Sequence, residues 1–394
     1  MKEVITPIEM RAIDKNTEHN YIPTIVLMEN AGSKIAEYVL AHYNDKKRIS
    51  IYSGSGGNGG DGFVIARHLL NHGWKVKLKL LSRPEKIKNN DSKQNYEAIK
   101  LISQTNKNLN LKIITDSTML KPDNSDIIID AILGTGVNGH LRQPVSSAID
   151  IINNSPATVL SVDVPSGMDP LTGKINHKCV VANTTLTLHK IKTGLTKAQK
   201  TYVGDIHVCD IGIPQISEEY VGKGDLLKLK TPEKNSHKGQ NGRVLILGSN
   251  NDYTGAVIFA ANACLKANID LVYIIAPEEA AKIIKASNPE FIVRGVDGDK
   301  LSTEAYKDYQ ELEQHVDTIL IGPGAGQDEK TGQLFNKILD ESDKTIVIDA
   351  DALKLVDKEK LSSNIVVTPH KNEFTQLYSR EVPDDIYERI ELLK

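Results

Sequence analysis

Apolar residues fall into short runs with two alternating rhythms. "RISIYS" (48–53) reads as a buried strand. "DGFVIARHLLNHG" (61–73) has the helical rhythm, with Ile65, Ala66 and Leu69 on one face and Gly73 as its stop. "WKVKLKLL" (74–81) alternates Val76, Leu78 and Leu80 with lysines, which predicts a strand with one wetter face. "DIIIDAILGTG" (126–136) and "ATVLSVDVPSG" (157–167) share one plan: an apolar strand, a carboxylate, then a glycine-containing loop. A helix, "PVSSAIDIINN" (144–154), separates them, and "TTLTLH" and "DIHVCDIGIP" add strands. This alternation predicts an α/β fold, a Rossmann-like parallel sheet with helices on both faces.

The stretch 221–242, rich in Lys, Gly, Pro and Asn, interrupts the rhythm and marks a domain boundary. Three parts are expected: a domain over 1–222, a linker over 223–236 and a second α/β domain over 237–394. In the second the strands are "RVLILGSN", "DLVYIIAP", "DTILIGPGAG", "KTIVIDADAL" and "NIVVTPH". "GAVIFAANACLKANI" and "EEAAKIIKA" are helices between them. The tail forms one more amphipathic helix, with Ile386, Ile390 and Leu393 aligned.

At 394 residues the chain is too long for one ordinary domain. Its 40% hydrophobic and 25% charged residues suit a soluble globular protein, and a net charge of −3 argues against nucleic acid or an anionic membrane as partner. The three cysteines, Cys179, Cys209 and Cys264, are scattered and fit a reducing compartment. No signal peptide or membrane span is legible, so a cytoplasmic protein is expected.

In an open parallel sheet, ligands sit beyond the carboxyl ends of the strands. Three loops, 54–62, 134–140 and 163–167, reach that edge. A glycine-rich turn can simply join a strand to a helix, but three of them, each with a polar residue, favour a binding rim. Amides opening the helix that follows the first loop would attract an anion by about 0.3–1 kcal/mol per exposed charge. The loop is neither a Walker A motif nor a clean G-x-G-x-x-G with its distant acid. Asp130 and Asp163 each end an apolar strand and need a donor or a cation there. Asn58, Asp130 and Ser166 together offer one charged and several neutral oxygens, which suits a weakly charged cation better than a divalent one. Hydrogen-bonded loop closure is the alternative use of the same three side chains.

"IPTIVLMENAG" (22–32), "GGNGGDG" (56–62), "DAILGTG" (130–136), "SVDVPSGMDP" (161–170) and "DIGIP" (210–214) resemble, in order, the NAD(P)H-hydrate epimerase domain. The resemblance implies that Gly57, Asn58, Gly59, Gly60, Asp61, Gly134, Thr135, Gly136, Val137, Asn138, Gly139, His140 and Asp163 contact a hydrated dinucleotide, NAD(P)HX. It implies further that Asn58, Asp130 and Ser166 bind potassium. One departure is visible: Gly57 stands where the family usually carries an asparagine. Interconverting the two C6 epimers needs proton transfer near the ring. Asp163 is the first candidate for acid/base work and Lys192 the second, although a surface lysine would be the ordinary reading of Lys192.

"HKGQNGRVLILGSNNDYTGA", "GPGAG", "DADAL" and "TPHKNEF" resemble the dehydratase domain of the ribokinase-like superfamily that often follows the epimerase domain. Asp349 and Asp351, two apart in "IDADAL", are expected on one face. The resemblance implies dehydration of the S form driven by ADP or ATP with Mg²⁺. It places Ala256, Gly324, His370, Lys371, Asn372, Glu373, Phe374, Thr375 and Gln376 at the hydrate. The family's nucleotide loops lie beyond "TPHKNEF", and the chain given ends at Lys394. The second domain is therefore expected to be truncated and inactive as given, a fragment of a longer protein rather than a decayed scaffold. ADP is favoured over ATP.

His68 and His72 have metal-ligand spacing but no companion ligand, so a solvated or capping role is favoured over zinc. Two further functions compete: a non-catalytic epimerase-like binding module and a ribokinase-type small-molecule kinase. The retained Asn58, Asp61, Asp130, Asp163 and Ser166 favour the enzyme. A homo-oligomer is the expected assembly.

Overall fold

The structure, a computed structural model, describes residues 3–43, 48–135, 141–229, 232 and 235–393. It divides into two compact units, Met1–Lys230 and Thr231–Lys394.

In the first unit a two-residue strand, β1 (Val4–Ile5), precedes helices α1 (Pro7–His19) and α2 (Thr24–His42). Thr6 caps α1 in a reciprocal box with Glu9, and Pro7 supplies the fixed φ that suits a first helical position. There follow β2 (Arg48–Ser53), α3 (Gly57–Asn71), β3 (Lys75–Leu80), α4 (Asn90–Ser103), β4 (Leu109–Ile113), β5 (Ile127–Ala131), α5 (Val145–Asn153), β6 (Thr158–Val162), β7 (Thr184–Leu188), β8 (Ile191–Lys192) and β9 (Asp205–Cys209). Seven of these strands form one sheet in the order β4-β3-β2-β5-β6-β7-β9, every neighbouring pair parallel. β1 pairs separately with β8, Val4 opposite Ile191 and Ile5 opposite Lys192. The core lies on both faces of the sheet. One face gathers Ile35, Ile51, Phe63, Leu69, Trp74 and Leu78; the other packs Ile128, Ile149, Ile152 and Val180. The alternating strand "KVKLKL" buries Val76, Leu78 and Leu80 and leaves its lysines wetter.

The segment expected as a linker begins as structure. Lys223–Lys228 form a 3₁₀ helix against α1, so close that a Cβ on Gly224 would lie 1.9 Å from the Ala12 carbonyl oxygen. Asn16 of α1 fastens it, accepting from the Gly224 amide at 2.7 Å and donating to Asp225 at 3.0 Å.

The second unit holds a six-stranded sheet of β10 (Arg243–Leu247), β11 (Leu271–Pro277), β12 (Phe291–Val296), β13 (Thr318–Ile321), β14 (Thr345–Ile348) and β15 (Ile365–Val367). Their order is β12-β11-β10-β13-β14-β15, all parallel. Its longer helices are α6 (Gly255–Lys266), α7 (Glu278–Ser287), α8 (Tyr306–Glu313), α9 (Glu329–Glu341), α10 (Lys371–Tyr378) and α11 (Ile386–Leu393). Among the described residues no helix is long and apolar enough to cross a membrane.

Candidate active site

In the first sheet the chain runs from β2 outward to β3 and β4, then returns to lay β5 on the other side of β2. Such a reversal of strand order opens a crevice at the carboxyl ends of the two strands. Here it is a cleft of about 930 Å³, with Gly56–Asn58 and Asp61 on one wall, Ile132–Thr135 and Arg142 on another, and Asp14, Asp163 and Leu188 at its side.

The glycine run is not a free loop. α3 starts at Gly57, four residues before the expected Asp61, so the glycines make its first turn. Close packing is the reason. A Cβ on Gly59 would lie 2.0 Å from the Gly54 carbonyl oxygen, so any side chain there would lift the helix off the strand end. Gly57 is the opposite case: nothing lies within 4 Å of a Cβ built on it. The family's asparagine is therefore replaced by open space, not by a clash. Gly60 donates back to the Gly56 carbonyl at 3.2 Å. The amides of Gly57, Asn58 and Gly59 precede the first intrahelical bond and point out of the helix, the arrangement that attracts an anion.

Asp130 sits at the end of β5, fully buried. Its carboxylate accepts from Ser166 Oγ at 2.5 Å, Ser166 N at 2.8 Å, Ser161 Oγ at 2.9 Å and Ile132 N at 3.3 Å. Burial raises its pKa and these donors oppose the rise. Ser166 Oγ in turn accepts from Leu133 N at 2.9 Å. Asn58 Nδ2 donates to the carbonyls of Leu133 and Val162, both at 3.2 Å. Asn58, Asp130 and Ser166 thus meet in one network that ties the three loops together.

Asp163 is the first residue past β6 and holds φ +65°, a left-handed conformation that Asp tolerates better than most residues. Its Oδ1 accepts from Leu188 N at 3.1 Å and Thr187 Oγ1 at 3.3 Å, and forms an ion pair with Lys192 Nζ. Its Oδ2 takes no hydrogen bond among the described residues. Lys192 is no surface lysine: it is 1% exposed, and its Nζ also donates to the Leu188 carbonyl at 2.5 Å. The β1–β8 pairing sets its position.

Two further carboxylates face this pair. Burial pushes Asp14, on α1, up to about 6, with Lys192 opposing and Asp163 adding to the rise. Burial, then Asp163 and Asp14, push Asp61 well above the ordinary carboxylate range. Sequence reasoning placed Asp61 here and missed Asp14. A signal existed: Asp14 follows Met10 by four residues and adjoins Ile13, inside the buried stripe of α1. Arg142 and Leu188 also line the cleft without having been singled out. Gly136, Val137, Asn138, Gly139 and His140 lie outside the described residues. His68 turns away to Glu29, 2.8 Å from its Oε1.

In the second unit Ala256 and Gly324 line one cleft of about 700 Å³, together with Tyr253, Gly326 and Asp351. The stretch His370–Gln376 does not line it. His370 caps α10, its Nδ1 accepting from Asn372 N at 3.2 Å, while Glu373 accepts from the His370 amide at 2.9 Å. Lys371, Asn372, Phe374, Thr375 and Gln376 continue around that helix. Asp349 and Asp351 do not share a face. The strand ends at Ile348 and Ala350 turns to φ +53°, which breaks the alternation. Asp349 accepts from Thr368 Oγ1 at 2.8 Å, whereas Asp351 accepts from Gly326 N at 2.9 Å.

Comparison with known proteins agrees with this two-part layout. Residues 24–194 match the family model described as YjeF-related protein N-terminus, and residues 244–389 match that of NAD(P)H-hydrate dehydratase. The bifunctional NAD(P)H-hydrate repair enzyme of Methanothermobacter thermautotrophicus is 42% identical over 380 residues, covering 95% of this chain and 73% of that protein. The one from Pyrobaculum aerophilum is 39% identical over 403 residues, covering 100% and 79%. A solved ADP/ATP-dependent NAD(P)H-hydrate dehydratase from Bacillus subtilis aligns with 41% of this chain and 56% of its own, at 24% identity and TM-score 0.34. The identity to these repair enzymes over almost all of its length shows that the chain belongs to the family of bifunctional NAD(P)H-hydrate repair enzymes.

Proposed function

We propose that the first unit binds hydrated NADH or NADPH in the β2/β5 cleft and interconverts the R and S forms at C6. One observation carries this reading: the open amino end of α3 and Asp163, paired behind the surface with buried Lys192, face the same cleft. The amides of Gly57–Gly59 would take the pyrophosphate, assisted by the helix dipole and by Arg142 on the facing wall. The hydrated ring would lie toward Asp163.

The donor set at the loop junction suits potassium. It has a single carboxylate, Asp130, among neutral oxygens from Asn58, Ser166 and the Leu133 carbonyl, and it lacks the carboxylates a divalent ion favours. Asn58, Asp130 and Ser166 would hold the ion. When bound it would supply a fixed positive charge beside the 132–135 loop.

The second unit is proposed as the dehydratase part, acting on the S form with ADP or ATP and Mg²⁺. Ala256 and Gly324 would contact the hydrate in their shared cleft. Three unpaired cysteines support a cytoplasmic place of work.

The test starts from a hydrate preparation depleted in one epimer, incubated with the full chain and potassium and followed by chromatography. Return to the equilibrium mixture faster than the spontaneous rate is expected. No acceleration overturns the assignment.

A further inference from the structure

Three carboxylates, Asp14, Asp61 and Asp163, line the cleft, and among the described residues one of them has a cation paired with it. Asp163 has Lys192. Asp61 is 7% exposed, lines the cleft, and meets no hydrogen-bond donor among the described residues. Asp14, on the opposite helix, lines the same cleft and likewise meets none. A buried carboxylate without donors is costly when ionised, and a second one beside it adds repulsion. Each carboxyl here keeps its proton to higher pH than an exposed one, in line with the upward shifts of Asp14 and Asp61.

The groups that face Asp14 are Lys192, Asp163 and Asp61. Three carboxylates on the elements packed against α1 are engaged elsewhere. Asp225 of the 3₁₀ helix takes Gly222, Asn16 and Lys228, and Glu218 of the short helix Ile216–Glu219 pairs with His189 and Lys190. Glu29 of α2 pairs with Arg67 and His68.

We infer that Asp14, lining the same cleft as Asp61, is the catalytic acid that delivers a proton to the C6 hydroxyl of the hydrated nicotinamide ring, with the free Oδ2 of Asp163 as the matching base. The inference rests on the epimerase reading above. C6 carries the hydroxyl and is bonded to the ring nitrogen. The C–O bond breaks, the departing oxygen takes the Asp14 proton and leaves as water, and the nitrogen lone pair closes an N=C6 double bond. The surplus of carboxylates stabilises the resulting ring cation. Water then adds to the opposite face of C6, the double-bond electrons return to nitrogen, and the water's extra proton passes to Asp163. One proton is given and one received, so only the face of the hydroxyl changes. The reverse epimerisation runs the same steps with donor and acceptor exchanged.

The test measures kcat and KM of the full chain between pH 5 and 9, using hydrate enriched in one epimer. Wild type is expected to lose rate as pH rises past the titration of Asp14. Asp14→Asn should lower kcat about 100-fold or more, a general-acid loss, with KM changed less than about threefold and the pH limb flattened. Asp14→Glu should recover at least part of the rate. A kcat for Asp14→Asn within about threefold of wild type, or an unaltered pH limb, overturns the inference. Should Asp14→Asn not fold, Asp61→Asn is read against the same thresholds. A wild type that fails to epimerise defeats the functional reading itself, a result distinct from an active wild type with an active Asp14→Asn.

Discussion

Lys192 offers the sharpest test of how the site is held together. Replacing it with methionine keeps the length of the side chain but removes the charge beside Asp163 and the donor to the Leu188 carbonyl. Deleting one partner of a buried ion pair costs about 3–5 kcal/mol, because the other charge stays buried and unmatched. Asp163 keeps its bonds from Leu188 N and Thr187 Oγ1, and its side chain is 11% exposed. Those residual partners put the expected loss near the lower end, about 3 kcal/mol. With a urea slope of about 2 kcal/mol per molar, the midpoint falls by roughly 1.5 M. The chain has a single tryptophan, Trp74, buried in the core of the first unit, so its emission follows that unit's unfolding alone. Removing both charges in Asp163→Asn/Lys192→Met should recover about 2 kcal/mol of the loss, the signature of a coupled pair. A single-variant loss below about 0.5 kcal/mol, or a double variant as unstable as the sum of the singles, would refute the buried pair.

Other expectations follow from the same site. Gly59→Ala should cost about 3 kcal/mol of stability from its clash with the Gly54 carbonyl, while Gly57→Ala stays within about 0.5 kcal/mol; urea titration of both decides. Asp130→Asn leaves one carbonyl oxygen and an amide group facing four donors, so a loss of about 3 kcal/mol is expected, with faster hydrogen exchange at Leu133. Asp14 has a raised carboxyl pKa, so the folded state binds its proton more tightly than the unfolded chain does. Its contribution is intact below about pH 4 and is lost as pH climbs to about 6 and beyond. Asp14→Asn should therefore be more stable than wild type at pH 7, by at most about 2–3 kcal/mol, with the gap closing toward pH 4; equal stability at both pH values would contradict the burial of the charge.

The parallel alternation was legible because each strand carries its own apolar run. β2 and β5 fall within the stretches their patterns predict. The early start of α3 was not, because glycine propensity argues against a helix, whereas contact with the strand end decides it. The meeting of Asn58, Asp130 and Ser166 could be anticipated, since each stands at a loop on one edge of the sheet. The burial of Lys192 could not: it depends on β1, more than half a unit away in sequence. Asp14 was hidden for a related reason, in a helix whose apolar stripe shows only that the stripe is buried. Asp349 and Asp351 mislead because a period of two holds only inside a strand, and the strand ends one residue too soon.

The two-residue ribbon joining Val4–Ile5 to Ile191–Lys192 has a consequence for synthesis. Val4–Ile5 is made well before Ile191–Lys192 and has no ribbon partner until residue 192 follows. At about 5–20 residues per second that wait is on the order of ten seconds or more. Throughout it Asp14 on the first helix has no Lys192 opposite it, so this side of the cleft closes only after six of the seven strands of the sheet have been made.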